Sequence, residues 1–250
     1  MIPKIIHYCW LGSKPLPRKH QKFIKSWKKH MPDYQIKCWN EENFDIRSNK
    51  FIHQAYNSGK YAFVADYIRL YALYTEGGIY LDTDVKVLKS FDPYLGYSFI
   101  SSIEYHPIKD IGKYITKDGK RISPFDNFGI SIHSAIIGAE KKCQYIKDCL
   151  NYYDNIEFNG ININANKTIP VVLALHAEKY GLKYLNQNQL LQNNIMIYSS
   201  DIFSEYRTIS NKSVAIHYCE GSWVQKSLMD NIKNHFKRFN IIYKLYKIIK

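Results

Sequence analysis

Two aspartates separated by one residue, Asp82 and Asp84, directly follow a short apolar run at residues 79–81. Such a run predicts a buried strand, so both carboxylates would stand at a strand end, where side chains can reach a ligand. Magnesium and manganese ions prefer oxygen ligands and often take only one or two carboxylates, with substrate phosphates completing the shell. The spacing therefore predicts a divalent cation site that is held on one side and open on the other.

The segment before this strand, residues 61–75, is predicted to be a helix that Gly77 and Gly78 terminate. Asp66 and Arg69 lie three residues apart and so share one face of that helix. Because their neighbours are apolar, we expect partial burial beside a phosphate site, where the arginine binds phosphate or sugar hydroxyls and the aspartate orients it. The alternative is a surface pair, worth only about 0.2–1 kcal/mol.

Polar and aromatic side chains also follow the first and last predicted strands. Trp10 ends the first strand, and its ring could belong to the core or stack on a nucleobase. His217 ends the last strand and precedes a glycine loop that carries Glu220, Ser222 and Trp223. A lone histidine is more often structural than functional. This loop, however, offers a carboxylate, a hydroxyl and an indole N–H, a set that suits a pyrophosphate.

The order of the predicted elements indicates an α/β fold, because strands alternate with helices from the start of the chain. Strands are predicted at residues 2–10, 34–39, 79–81, 99–103, 130–138, 195–198 and 214–217. Helices are predicted after Pro17 and at residues 51–58, 61–75, 142–153 and 169–180. Residues 106–124 are polar and aperiodic, so they are predicted to form a long loop.

Composition narrows the classes of partner. A chain of 250 residues can bury a substantial core, and its formal net charge of +13 favours an anionic partner: nucleic acid, a phospholipid surface or a phosphorylated substrate. The five cysteines form no Cys-x-x-Cys pair, which argues against a zinc knuckle or a disulfide framework. The sequence shows no signal-peptide pattern and no apolar stretch of about 20 residues, so a cytoplasmic location is expected.

The composition changes near residue 230. Apolar residues there recur at helical spacing, and lysines and an arginine occupy the other positions. This pattern is typical of a basic amphipathic helix on an anionic membrane, although a helix packed on its own domain has the same pattern. We therefore predict a catalytic domain at residues 1–225 and a basic tail at residues 226–250 that places the protein on the inner face of the plasma membrane.

Other functions could use the aspartate pair. A phosphatase of the haloacid-dehalogenase type requires a longer strand before the first aspartate and an acidic pair later in the chain. Here Gly77 and Gly78 shorten the strand, and no convincing acidic pair follows. An EF-hand loop counted from Asp82 would need glycine at Val87 and glutamate at Pro93, so that reading fails. A metal-dependent phosphatase and a non-catalytic membrane- or nucleic-acid-binding protein remain as alternatives, although no nucleic-acid motif is recognisable.

Four blocks in chain order resemble the Asp-x-Asp sugar-binding glycosyltransferases of family thirty-two, which include capsule and lipopolysaccharide enzymes and the yeast initiating mannosyltransferase. The blocks are residues 2–12, Ser26-Trp27 with residues 32–34 and Trp39-Asn40, residues 62–84, and His217 with Ser222-Trp223. The resemblance implies a GT-A (Rossmann-like) single domain with a mixed central sheet. It also implies a nucleotide-sugar donor, a Mn²⁺ or Mg²⁺ ion and retention of anomeric configuration.

The resemblance also implies roles for individual residues. The donor nucleotide, sugar and diphosphate would be bound by Tyr8, Trp10, Asp66, Arg69, Asp82, Ser222 and Trp223. Asp84 would ligate the metal directly, Asp82 would touch the metal's shell, and the third ligand would be His217 or Glu220. Asp82, Asp84 and Arg69 would carry catalysis. Relatives often have asparagine where this chain has His133 or Ser134, in a strand that would line the acceptor side.

We therefore expect a metal-dependent retaining hexosyltransferase. Its donor would be a UDP-sugar such as UDP-galactose or UDP-glucose, and its acceptor a glycan or lipid-linked oligosaccharide in surface polysaccharide synthesis. No nucleic-acid partner is expected.

Overall fold

The computed structural model describes residues 1–106, 111–122, 129–158 and 168–220. Ser222, Trp223 and the predicted tail at 226–250 lie outside these ranges. The helices are α1 (Arg18–His30), α2 (Lys50–Asn57), α3 (Tyr61–Glu76), α4 (Gln144–Asp154) and α5 (Ile169–Ala177). The strands are β1 (Ile5–Cys9), β2 (Gln35–Trp39), β3 (Gly78–Leu81), β4 (Val85–Val87), β5 (Phe99–Tyr105), β6 (Ile130–Ile132), β7 (Ile136–Ala139), β8 (Gln189–Leu191), β9 (Ile195–Tyr198), β10 (Phe203–Glu205) and β11 (Ala215–His217).

The strands form a central mixed sheet and a small second sheet. The central sheet has the order β2-β1-β3-β7-β5-β9-β8, with β6 paired to β5. Its β2-β1-β3 half is parallel, and β7 runs antiparallel to both β3 and β5. The second sheet has the order β10-β11-β4. The expected α/β domain with a mixed central sheet is confirmed.

The two faces of the central sheet bury separate apolar layers. Along β3, Ile79 and Leu81 join one layer and Tyr80 joins the other, as the alternation of a strand requires. Helices α2 to α5 supply about half of the layer that contains Tyr80. Trp27 of α1 and Phe203 of β10 lie in the opposite layer. The small sheet and α1 therefore pack on the same side of the central sheet.

The turn into β3 depends on two glycines and a buried histidine. Gly77 and Gly78 have φ of 70° and 114°, in the region that favours glycine. A Cβ on Gly78 would lie 2.5 Å from the carbonyl oxygen of Ile5. The imidazole of His7 hydrogen-bonds the carbonyl oxygen of Gly77 at 2.8 Å. These contacts fix where β3 starts, and so where Asp82 and Asp84 emerge at its other end.

Several sequence predictions need correction. The single strand predicted at 130–138 is two strands, β6 and β7, with a break at His133, Ser134 and Ala135. At the break the carbonyl oxygen of Ser134 accepts a hydrogen bond from Arg69 rather than continuing a ladder. Strands β4, β8 and β10 were not predicted, because each has only three residues and little periodicity.

The predicted loop at 106–124 has a short 3₁₀ turn at Ile111–Lys113 and an isolated bridge between Ile115 and Arg121 in its described part. Among the described helices, none has both the length and the apolar character needed to cross a bilayer.

Candidate functional site

The aspartate pair occupies a turn between β3 and β4. The backbone N–H of Asp82 donates to the carbonyl oxygen of Ala135, and the N–H of Val85 donates to the carbonyl oxygen of Asp82 at 3.0 Å. Asp84 is buried, whereas the Asp82 side chain keeps 28% of its exposure. One carboxylate is thus buried and the other is partly exposed at the same turn.

His217 is brought to this turn by sheet pairing. Strand β11 runs antiparallel to β4, and His217 pairs with Val85. Its Nε2 lies 3.2 Å from Oδ1 of Asp84 and 4.0 Å from Oδ2 of Asp82. Ligand atoms of the three residues lie within 4.8 Å of one another, which makes them a candidate cation-binding group. The three residues come from positions 82, 84 and 217, so only the fold unites them.

The histidine and Asp84 form an ion pair. Burial alone would raise the pKa of Asp84, but the adjacent His217 imidazolium outweighs it and lowers that pKa. Burial alone would lower the pKa of His217, but Asp84 raises it well above its usual value. The thiol of Cys219 lies 3.4 Å from Nδ1 of the same ring. A bound cation would take the place of the proton that now offsets the charge of Asp84.

Arg69, on α3, contacts several groups at the site. Its Nη2 lies 2.8 Å from Oδ1 of Asp66 and 3.6 Å from Oδ1 of Asp82, and its Nη1 donates to the carbonyl oxygen of Ser134 at 2.8 Å. The guanidinium also lies over the ring of Tyr80, 4.7 Å from its centroid. The predicted burial of the Asp66–Arg69 pair is therefore confirmed, and the surface-pair alternative is wrong.

Burial and neighbouring charges shift the pKa values of Asp66 and Arg69. Burial raises the pKa of Asp66 to about 6, although Arg69 opposes the shift. Burial alone would lower the pKa of Arg69, but Asp82, Tyr80 and Asp66 together raise it. Arg69 therefore keeps its charge in a site that offers little water, where a guanidinium binds anions most strongly.

Trp10 and the β11 loop meet on the other side of the aspartate turn. The Trp10 ring stands edge-on to His20, with centroids 5.8 Å apart, and Nδ1 of His20 contacts Oγ1 of Thr83 at 2.9 Å. The carboxylate of Glu220 forms an ion pair with Lys19, and its Oε2 lies 3.5 Å from Nε2 of His20. Trp10 is thus linked through His20 to Thr83, the residue between the two aspartates.

Glu220 reaches the site through its backbone. Its N–H donates to Oδ2 of Asp84 at 2.8 Å, while His217 presents a ring nitrogen to both aspartates. Of the two predicted third ligands, His217 is the one whose side chain faces the pair. Ser222 and Trp223 lie outside the described residues, so their roles stay predictions.

Tyr8 lies in β1, two residues before Trp10. Its ring stands edge-on to Trp27, with centroids 5.8 Å apart, and burial raises the pKa of its phenol to about 12. The structure places it beside the apolar layer that contains α1. A donor contact through Tyr8 stays a prediction.

A further group of ligating side chains, absent from the sequence predictions, lies next to His217. It contains Glu104, His106, His133 and Glu205, at the ends of β5, β6 and β10. No spacing in the sequence links these residues, because they come from three separate segments. The break in the predicted strand at 130–138 places His133 at this group.

The donor chemistry of the first group fits a divalent cation. Two carboxylates and one imidazole on one side of an ion leave its other positions for water or phosphate oxygens. Oxygen-rich sets suit Mg²⁺ and Mn²⁺, and the imidazole favours Mn²⁺ over Mg²⁺. Asp82, Asp84 and His217 would hold such an ion.

Comparisons with known proteins agree with this geometry. Residues 17–100 match the family described as "glycosyltransferase sugar-binding region containing DXD motif". The match covers about a third of the chain, and within it the chain is similar to the DXD glycosyltransferases. The matched region contains Asp66, Arg69, Asp82 and Asp84, whereas Trp10 and His217 come to the site from outside it.

Two curated relatives match a similar length of chain. Inositol phosphoceramide mannosyltransferase 3 of Schizosaccharomyces pombe is 37% identical over 100 residues, which cover 38% of this chain and 28% of that protein. An uncharacterized glycosyltransferase of Acanthamoeba polyphaga mimivirus is 31% identical over 105 residues, covering 40% of this chain and 42% of that protein. The chain thus matches less than half the length of either relative.

Among solved structures, the PaToxG glycosyltransferase superposes with a TM-score of 0.50 at 20% identity, covering 71% of this chain and 69% of that one. At that identity the likeness concerns the fold alone. It confirms the GT-A fold expected from the sequence.

Proposed function

We propose that this chain is a metal-dependent retaining glycosyltransferase that moves a hexose from a nucleotide sugar to a glycan or lipid-linked oligosaccharide. The convergence of Asp82, Asp84 and Arg69, which lie in the matched DXD region, with His217, which comes from outside that region, carries the proposal. These side chains can place a divalent ion and the Arg69 guanidinium on the same diphosphate.

The residues have separate roles in this proposal. When bound, a Mn²⁺ or Mg²⁺ ion offsets the charge that develops on the leaving nucleoside diphosphate. Arg69 supplies N–H donors from the α3 side, and Asp66 fixes the plane of its guanidinium through the 2.8 Å contact. Because these donors are already held in place, they stabilise charge without reorganising during the reaction.

The donor nucleotide is proposed to lie between the aspartate turn and Trp10. The Trp10 ring follows β1, and its indole N–H donates to the carbonyl oxygen of Lys14 at 2.7 Å, which fixes the ring plane. A fixed aromatic plane at a strand end is suited to stacking on a base. Ser222 and Trp223, which follow Glu220 in the sequence, are proposed to bind the diphosphate.

Retention of anomeric configuration is proposed to follow from attack by the acceptor hydroxyl on the face from which the diphosphate leaves. The departing phosphate would take the hydroxyl proton. The family resemblance supports retention, and the buried, ion-paired Asp66 and Asp84 leave few free carboxylates to act as a nucleophile.

The acceptor and location are proposed from charge. The formal net charge of +13 suits an anionic inner leaflet that carries a lipid-linked acceptor for surface polysaccharide, with residues 226–250 as the contact. We test this by deleting residues 226–250. Binding to vesicles that contain anionic lipid should fall, whereas unchanged binding would contradict the tail's role.

The activity itself is tested with a panel of UDP- and GDP-sugars in the presence of Mn²⁺. Slow hydrolysis of one donor without acceptor is the expected result, with a UDP-hexose such as UDP-galactose or UDP-glucose favoured. Release of inorganic phosphate from simple esters, with no turnover of any nucleotide sugar, would contradict the proposal.

A further inference from the structure

Glu205 is the centre of a second set of ligating side chains beside the aspartate pair. It ends β10 and is buried, with 6% of its surface exposed. Its carboxylate forms one group with His133 and His217 and another with Glu104 and His106, and within each group the ligand atoms lie within 4.8 Å of one another. None of these side chains except His217 has a role in the donor site.

The ring of His133 indicates that this cluster binds a ligand. His133 is 1% exposed, and neither ring nitrogen has a hydrogen-bond partner within the described ranges. Its ring stands edge-on to His217, with centroids 5.3 Å apart. An unpaired buried polar group costs about 1–3 kcal/mol, so two unpaired nitrogens on one ring call for a ligand.

The bonding of His133 suits a metal ligand. Because neither ring nitrogen is hydrogen-bonded within the described ranges, the ring has a nitrogen available to a metal, and imidazole nitrogens are the commonest metal ligands in proteins.

The charges in the cluster also favour a cation. Ligand atoms of Glu104 and Glu205 lie within 4.8 Å of each other, so two carboxylates share one small region. His106 contacts both, with its Nε2 hydrogen-bonded to Glu205 and its Nδ1 3.8 Å from Glu104. A divalent ion bound between the two carboxylates would offset their repulsion.

We propose that Glu205, His133 and His217 form a second divalent cation site, adjoining the aspartate pair, with Glu104 and His106 beside it. Two imidazoles and one carboxylate form a ligand set that Zn²⁺ takes in open, three-ligand sites. The ligand atoms of the group lie within 4.8 Å of one another, and those around tetrahedral zinc are about 3.3 Å apart, so zinc binding would close each pair by at most about 1.5 Å. The site does not depend on the identity of the sugar donor, because an ion binds whether or not the donor turns over.

His217 lies between the two groups. It faces Asp84 through Nε2 and is also a member of the group that contains Glu205 and His133. The two ions would therefore be neighbours that share His217, which would release its N–H protons and ligate one ion through each ring nitrogen.

The test counts bound zinc on the full chain. The chain is stripped with a chelator and dialysed against Zn²⁺, and the bound metal is measured by mass spectrometry. Wild type should bind two equivalents. His133→Leu and Glu205→Gln should each retain one equivalent and lose at least about tenfold in affinity for the other.

Asp84→Asn separates the two sites, because it removes a ligand of the first site only. This variant should retain one zinc equivalent, and Co²⁺ bound to it should show the intense visible bands of a tetrahedral site. Those bands should disappear when Glu205→Gln is added. His53→Leu and Glu157→Gln, exposed residues on other parts of the surface, serve as matched controls and should bind two equivalents.

Zinc binding that is unchanged in His133→Leu and Glu205→Gln would overturn the second site, and so would a single equivalent in wild type that Asp84→Asn abolishes. If His133→Leu does not fold, Glu205→Gln and Glu104→Gln decide the question by the same measurement. Failure of the donor panel with Mn²⁺ would contradict the proposed function but leave this zinc count unaffected.

Discussion

Two buried histidines on this sheet have opposite surroundings. His7 is 0% exposed, and both of its ring nitrogens are bonded: Nδ1 accepts from the indole N–H of Trp39 at 3.1 Å, and Nε2 contacts the carbonyl oxygen of Gly77 at 2.8 Å. His133 is 1% exposed, and both of its nitrogens lack a partner among the residues described. Burial therefore does not separate a structural histidine from a functional one, whereas hydrogen bonding does.

The partners of His7 also determine its tautomer. An indole N–H can only donate, so Nδ1 of His7 must be the acceptor and Nε2 must carry the proton. That proton is donated to Gly77, at the turn that starts β3. His7 thus supports the position of Asp82 and Asp84 from the far end of the strand.

The largest expected effect is the loss of stability in His7→Ala. The change leaves the Trp39 N–H and the Gly77 carbonyl oxygen unpaired and opens a cavity, so the free energy of unfolding should fall by about 3–5 kcal/mol. Urea unfolding followed by tryptophan fluorescence measures it. A loss below about 1 kcal/mol would show that His7 does not hold this turn.

Arg69→Lys tests the other buried group that fixes the site. Lysine keeps the charge but cannot reach Asp66, Asp82 and the Ser134 carbonyl oxygen together. Donor hydrolysis should fall by about 10- to 100-fold, by analogy with the loss of an orienting contact at a metal site. Arg121→Lys, which changes a pair with Glu178 away from the site, is the control and should keep the wild-type rate.

The pH dependence of stability tests the buried, hydrogen-bonded ring of His7. Burial lowers the pKa of His7, so the unfolded chain takes up a proton at higher pH than the folded chain does. The stability from this group is therefore present above the unfolded value near 6.5 and is lost as the pH falls through it. His7→Gln, which does not titrate, should show a shallower fall between pH 7 and 5, and an unchanged slope would contradict this account.

The smallest expected effect is that of His133→Leu on stability. This change removes two unpaired nitrogens and no hydrogen bond of the ring, so the free energy of unfolding should stay the same or rise by up to about 2 kcal/mol. Metal-free protein is required, because a bound ion would add its own stabilisation. A loss as large as that of His7→Ala would mean that His133 is a structural residue.

The local patterns predicted more of the donor site than of its surroundings. Gly77, Gly78 and the run at 79–81 indicate a turn and a buried strand, and these alone place Asp82 and Asp84 at a strand end. Asp66 and Arg69 were predictable because the three-residue spacing of a helix is local. Their burial followed from apolar neighbours.

The second cluster could not be predicted in this way. Glu205 ends β10, a three-residue strand whose position is determined by its pairing with β11 rather than by its own sequence. His133 lies where an apolar run that reads as one strand is broken by the hydrogen bond from Arg69 to Ser134. Both depend on contacts between segments far apart in the chain, which periodicity does not record.

Asp82, Asp84 and His217 are proposed to hold the ion that binds the donor diphosphate. This role is tested most directly by hydrolysis of the preferred nucleotide sugar with saturating Mn²⁺, in wild type and in Asp84→Asn, before and after EDTA. We predict that Asp84→Asn and EDTA-treated wild type both lose at least about 100-fold in rate, and that added Mn²⁺ restores only wild type. A wild-type rate in Asp84→Asn with added Mn²⁺ would contradict the account.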